Sequence, residues 1–447
     1  MKIFIIVTIL IIFNGCSEFK ETGSSNLLYY QQWSINEDLE FYYEHDIDED
    51  AGINPKNVFQ FFNGEGVKVA IIDDGFDVNH PEIREKIIKT ISVDEYGNIG
   101  NNVSHINTQD YHGTAVAGII AADNNNVGIM GVSSGVELIL IRMPMMLSDD
   151  ITIELFKQAV NAGADIINCS WGTGDVSDSV REYIDYISTY ARDGKGVVVV
   201  FAAGNLSTYM ANDESAIESV IGVGATDKNS LRTNYSNYGK ELDIVAPGGL
   251  ELGITTIDPY GSDGVSADEY NRYDELDYGL PVSFIGTSAA APIISGVIAL
   301  ALEKNFSLNR VEVQELLKIS TTKIGQNTPY IDDMIVSSSA TPIISGLYGS
   351  LRDIEFKVQL TSYRTNTIYG PYYVYETYNN EWASQVFDTL PNGIYTVEVI
   401  SDDSVVWATD VSFEVNHMKS SQIDKSKRRS DFYGYGKIDL DKLIQSI

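Results

Sequence analysis

The sequence predicts an α/β fold, a parallel sheet flanked by helices, with a small antiparallel β domain inserted before the final helix. Three observations predict it. From residue 67 onward, short β-branched runs alternate with helix-like segments. Such near-continuous apolar runs suit strands buried on both faces of a parallel sheet. Near residue 345 the pattern changes to strict apolar–polar alternation, the mark of half-buried antiparallel strands. The chain then ends on one more helix-like segment, "DFYGYGKIDLDKLIQSI".

The elements follow in order. "VKVAIID" (67–73), "ELILIRM" (137–143), "DIINCS" (165–170) and "GVVVVFA" (196–202) read as parallel strands. Between them, "TAVAGIIAA", "ITIELFKQAVNAGA" and "SDSVREYIDYISTYARDG" read as helices, the last two opening near Asp, Ser or Thr and closing at Gly. Strand–helix alternation implies right-handed crossovers. "FKVQL", "YYVYET", "IYTVEVI" and "VVWATDVSFEV" read as the antiparallel strands, with "LPNGIY" as a turn. The expected division is a signal segment at 1–16, a linker at 17–30, a main domain at 31–344, a β-sandwich-like insert at 345–415, a linker at 416–430, and the last piece of the main domain at 431–447.

The chain has 447 residues and a formal net charge of −33. That length sustains a sizeable core. The acidity argues against nucleic acid as a partner, because phosphate contacts need Lys and Arg surfaces. The N-terminus, "MKIFIIVTILIIFNGC", carries one Lys, an apolar run too short to span a bilayer, and then Cys16. This pattern resembles a bacterial lipoprotein signal, which implies export and a lipid anchor through Cys16 to the cell envelope. An ordinary signal peptide with an incidental Cys is the alternative. The other cysteine is Cys169, so a lipidated Cys16 leaves no intramolecular disulfide.

Three residues stand where loops meet regular structure. Asp73 ends "VKVAIID", at the carboxyl edge where parallel sheets place their sites. His112 opens "HGTAVAG", and Ser288 stands at the head of the helix-like "TSAAAPIISGVIAL". A serine hydroxyl needs a base to become a nucleophile; a neutral imidazole supplies it, and a carboxylate orients the imidazole. Each residue alone reads equally as a cap or a core group. The order Asp, His, Ser is one of three chain orders in which this geometry occurs. Asn205 in "FAAGN" adds a side-chain amide for the oxyanion.

With "VAIIDDGFDVNHPEI" (69–83), "HGTAVAGIIAADNNNVGIMGV" (112–132), "INCSWG" (167–172), "FAAGN" and "GTSAAAPIISGVIAL" (286–300), the chain resembles the subtilases, the S8 family of subtilisin-like serine peptidases. The resemblance covers residues 32–317 and the terminal "GYGKIDLDKLI". It implies a subtilisin-like sheet and a serine endopeptidase acting on proteins or peptides. The triad would be Asp73, His112 and Ser288, with Asn205 in the oxyanion hole. Ser170, Trp171 and Gly172 would pair with substrate backbone by strand addition. Asp73-Asp74-Gly75, and Ala289 after the nucleophile, lean toward the kexin and proprotein-convertase branch. There, Asp175 falls where an acid in the S1 pocket prefers a basic P1 residue; a solvated loop Asp is the alternative. "AADNNNVGIMGV" resembles a calcium-binding loop, with Glu82 and Asn125 as ligands of a structural Ca²⁺. An Asn-rich turn is the other reading there. No cofactor is expected for the catalytic step.

Three features depart from the resemblance. Cys16 and Gln32 leave no room between them for a folded propeptide. The β unit falls inside the main domain. "KSKRR" (425–429) offers dibasic sites for self-cleavage. The acidic loop at 258–281 reads as a flank of the cleft or as a solvated insertion. A catalytically silent surface protein or adhesin that binds through its β domain is the rival reading.

Overall fold

In the computed structural model, residues 26, 28–107, 110–210, 212–260, 284–322, 324 and 433–447 are described with their side chains. The strands within 275–276 and 330–430 are described by their backbone. Cys16 with the signal segment, most of the 258–281 loop and the lysines of "KSKRR" lie outside the described residues.

Eight strands carry the main sheet through the domain: β1 Lys68–Asp73, β2 Ile87–Val93, β3 Ile99–Gly100, β4 Glu137–Arg142, β5 Ile166–Cys169, β6 Val198–Ala202, β7 Val220–Thr226 and β8 Ile244–Pro247. Two short strands, Thr321–Thr322 and Lys437–Ile438, complete a ten-stranded sheet. From one edge it runs Thr321–Thr322, Lys437–Ile438, β8, β7, β6, β5, β1, β4, β2, β3. The pairings from Lys437–Ile438 to β2 are parallel, and only the two outermost are antiparallel. Strand order reverses at β1, which lies between β4 and β5. The crevice beyond the carboxyl end of such a strand is where open α/β sheets bind ligands. Asp73 is the last residue of β1.

The helices are α1 Leu39–His45, α2 His112–Ala121, α3 Asp149–Asn161, α4 Asp178–Gly194, α5 Thr287–Lys304, α6 Arg310–Ile319 and α7 Leu440–Ser446. Capping agrees with the sequence. Ser148 accepts from the Ile151 N–H, Ser177 from the Val180 N–H, and Asn309 with Glu312 forms a capping box.

Alternate strand residues face opposite layers. Val69, Ile71, Leu138, Leu140, Val198 and Val200 pack with α2 and α5 in one core. Ala70, Ile72, Ile139, Ile141, Val199 and Phe201 pack with α3 and α4 in the other. This explains why the strand sequences are apolar at nearly every position. Helix α5 is apolar all round because it is buried all round, from Thr287 to Leu302. Its length and hydropathy would suit a membrane span, yet 89% of that stretch is buried inside the protein.

Beyond α6, Tyr330–Val336, Glu355–Ser362, Ile368–Tyr375, Gly393–Ile400 and Arg429–Ser430 form a five-stranded sheet. Pro342–Leu347, Ala383–Val386, Ser412–Val415 and Met418–Lys419 form one of four. All these pairs are antiparallel. The first strand, Tyr330–Val336, precedes residue 345, where the alternating pattern becomes visible in the sequence. The chain then returns to the main sheet: Lys437–Ile438 pairs with β8, and Leu440 N–H bonds to the Ile53 carbonyl.

Candidate active site

The first side chain of the site is set by the end of β1. Asp73 is 1% exposed, and its Oδ1 accepts from His112 Nδ1 at 2.8 Å and from the Asp74 N–H at 2.8 Å. His112 is the first residue of α2, and residues 113–121 of that helix are buried. Tyr111, at the N-cap, makes no side-chain cap bond. Asp74 serves instead from across the loop, its Oδ1 accepting from the Gly113 N–H at 3.1 Å. Phe284 stands edge-on to the His112 ring, 5.5 Å between centroids, and to Tyr111 at 6.2 Å.

Electrostatics favour the charged imidazole. Burial opposes the charge on His112, but the charge and hydrogen bond of Asp73, with Asp74 behind it, push the pKa up to about 9. Burial, and then the charge of Asp73, push Asp74 up to about 7. The contact of His112 Nδ1 with Asp73 leaves Nε2 as the ring nitrogen available to a substrate-side proton.

Ser288 lies in the first turn of α5 and is 8% exposed. Its hydroxyl donates to the Ser170 carbonyl at 3.0 Å, and the Ser170 hydroxyl donates to the Ser288 carbonyl at 3.0 Å. The second bond has a cause in the sequence. Pro292 lacks the N–H that would otherwise bond to the carbonyl four residues before it, that of Ser288. Behind Ser170, Asn168 Nδ2 donates to the Ser170 hydroxyl at 3.1 Å, and Ser295 donates to Asn168 Oδ1 at 2.8 Å. The network fastens β5 to α5.

Asn205 follows β6. Its Oδ1 accepts from the Thr287 N–H at 2.9 Å and from the Thr287 hydroxyl at 3.0 Å. A backbone N–H can only donate, so these contacts assign Oδ1 inward and leave Nδ2 as the outward donor. Nδ2 lies 3.3 Å from where a Cβ on Gly286 would stand, and Gly286 has a φ of +133°, so the position excludes other residues.

Ser170, Trp171 and Gly172 lie just beyond the end of β5 at Cys169. The Trp171 indole turns into the protein, donating to the Ile72 carbonyl at 2.9 Å and packing on Phe201 at 5.1 Å. Asp175 is exposed on the following turn. Two other acids support this loop, and nothing in their sequence context marks them. Glu214, 1% exposed, accepts from the Thr173 N–H at 3.0 Å and the Thr173 hydroxyl at 2.7 Å; Asp213 accepts from the Gly174 N–H at 3.0 Å. Thr287, Phe284 and His105 also escape the sequence reading, since each acts only through a distant neighbour.

Glu82 is 1% exposed; neither carboxylate oxygen meets hydrogen-bond geometry, although the Asn125 amide and the Asp123 N–H lie close enough to lower its pKa. Burial raises its pKa to about 7, more than the neighbouring Asn125 amide lowers it. Asn26 Nδ2 donates to the carbonyls of Asp123 (2.7 Å) and Ile129, so these two carbonyls meet on an amide. Asn125 Oδ1 accepts from the Val127 N–H at 2.9 Å, shaping the loop. The Glu82 carboxylate is the kind of oxygen donor a hard cation takes, but no group of three or more His, Cys, Asp or Glu that could hold a metal is found among the described residues.

Comparison with known proteins identifies the chain's relatives. The chain is 35% identical over 301 residues to the calcium-dependent protease of Nostoc sp., covering 61% of this chain but only 44% of that relative. It is 30% identical over 288 residues to Subtilisin Savinase of Lederbergia lenta, covering 62% of this chain and 91% of the relative. Among solved structures, a protease of Pseudoalteromonas arctica superposes with a TM-score of 0.56 at 26% identity, covering 68% of this chain and 93% of the other. The model of the Subtilase family, Peptidase_S8, matches residues 64–335, and the chain belongs to that family.

Proposed function

We propose that the protein is an exported serine endopeptidase that hydrolyses peptide bonds with Asp73, His112 and Ser288. The observation that carries this reading is the 2.8 Å Asp73–His112 pair at the end of β1, with the Ser288 hydroxyl resting on the Ser170 carbonyl just beyond the paired strand β5, from which it has to turn to reach Nε2. Asp73 holds Nδ1, so Nε2 takes the Ser288 proton as Oγ attacks the scissile carbonyl. Asn205 Nδ2 and the Ser288 N–H, at a helix N-terminus, receive the oxyanion. His112 then returns the proton to the leaving amine, and water deacylates the enzyme by the same route. Ser170–Gly172 offers extended backbone to the substrate. The inward Trp171 ring leaves its main chain for that contact.

Three finer assignments belong to the same reading. Asp175, exposed on the turn after Gly172, is read as the S1 carboxylate, and together with Asp73-Asp74-Gly75 it supports a leaning toward the kexin-like branch with basic P1 residues preferred. Ca²⁺ would be held by Glu82, the Asn125 loop and its carbonyls, as a structural ion that ties the loop down. Cys16 would anchor the protein in the cell envelope.

Fluorophosphonate labelling of the wild type and of Ser288→Ala tests the central claim. Labelling lost in the variant is expected; a wild type that does not label, with the Asp73–His112 pair intact, refutes it and favours a silent binding protein. A peptide library without enrichment of Arg or Lys at P1 removes Asp175 from the pocket.

A further inference from the structure

Beside the Asp73–His112 pair a second histidine faces a second carboxylate at longer range. His105 Nδ1 faces Asp74 Oδ1 at 3.6 Å, and His105 Nε2 contacts the Thr114 hydroxyl at 2.7 Å. Thr114 Oγ1 also accepts from the Asp77 N–H at 2.9 Å. Asp74 in turn holds the Gly113 N–H. The two residues that follow His112 are thus fastened to Asp74 and His105. The site is built closely: a Cβ on Gly75 would stand 2.7 Å from His105 Cα, and one on Gly113 would stand 2.2 Å from the Gly75 carbonyl.

We propose that His105 is a positioning residue for His112, bonded to Thr114 and standing against Asp74, and so setting the seat of the first turn of α2. This rests on the triad reading above. With Thr114 Oγ1 donating to Nε2, the imidazole proton sits on Nδ1 and points at Asp74. The ring is 8% exposed on its side chain, and burial holds it below its usual pKa against the pull of Asp73, Asp110 and Asp77, with His112 acting alongside burial. Tyr260 lines the same cleft and its N–H bonds to Asp77. The Nδ1–H dipole faces Asp74 across 3.6 Å, longer than a hydrogen bond, and favours the ionised form of that carboxylate, whose charge draws on protonated His112.

The test is steady-state kinetics against pH on the full chain. His105→Ala is expected to lower kcat about tenfold, the scale of a small misplacement of a catalytic group, with little change in KM. The acid limb of kcat/KM should move to lower pH, because Asp74 without the facing Nδ1–H dipole is protonated over a wider range. Asp74→Asn should move the limb in the same direction. His105→Gln, which keeps a polar contact for Thr114, should regain much of kcat without restoring the limb. A His105→Ala variant that loses thermal stability alone, with kcat and limb at wild-type values, overturns the proposal. Should that variant fail to fold, an unmoved limb in His105→Gln overturns it equally. A wild type that does not label with fluorophosphonate overturns the triad reading and this one together, whereas a labelled wild type with unaffected variants overturns only the role of His105.

Discussion

Replacing Ser170 by alanine removes one hydroxyl from the join between β5 and α5. That hydroxyl donates to the Ser288 carbonyl, left without an intrahelical partner by Pro292, and accepts from Asn168 Nδ2. Asn168 is 0% exposed and Ser170 is 4% exposed, so water does not replace the lost partner. An unsatisfied buried polar group costs about 1–3 kcal/mol, so two such groups give about 2–6 kcal/mol of lost stability. In a large domain, at about 2 °C per kcal/mol, this corresponds to a fall in Tm of about 4–12 °C. The measurement is urea and thermal unfolding in a Ser288→Ala background, which prevents self-digestion and keeps the residue 288 carbonyl. Ser170→Thr, which keeps the hydroxyl, is the control. A Ser170→Ala variant within about 0.5 kcal/mol of its parent would refute the argument that Pro292 leaves a carbonyl for Ser170 to satisfy.

Further outcomes follow from the same geometry. Asn205→Ala should lower kcat about 10²–10³-fold with KM nearly unchanged, since in the proposed reaction its Nδ2 meets charge that develops only in the transition state; a change in KM alone contradicts that role. The base must be neutral to act, so kcat/KM should rise with pH through an apparent pKa near 9 and level above it. The same raised pKa adds stability that is full below the unfolded-state value of 6.5 and is lost as pH climbs through about 9. Unfolding monitored across that window in wild type and His112→Ala checks the sign. Chelation should lower Tm, added Ca²⁺ should restore it, and Glu82→Gln should abolish the response; a Tm indifferent to both removes the cation from that loop.

Much of this architecture is legible in the chain itself. The four β-branched runs at 67–73, 137–143, 165–170 and 196–202 fall on β1, β4, β5 and β6 because strands covered on both faces need apolar residues throughout. β2 carries exposed Lys89 near the sheet edge and does not show that signature. The candidate triad is legible because each member ends or begins an element. Asp74, His105 and Thr114 are not, since an acid, a histidine and a threonine at those spacings are unremarkable until the loop folds back onto α2.

The sequence by itself determined the α/β class, the order of its central strands and helices, the terminal return of the chain, and the residue types at 73, 112, 205 and 288. Those follow from periodicity, caps and the chemistry each residue type can perform. Only the tertiary structure decided that Asp73 and His112 meet at 2.8 Å, that Thr287 turns the Asn205 amide outward, and that the Trp171 ring faces the core. Contacts between residues far apart in the chain depend on which layers pack together, and side-chain hydrogen bonds form only once packing has excluded water.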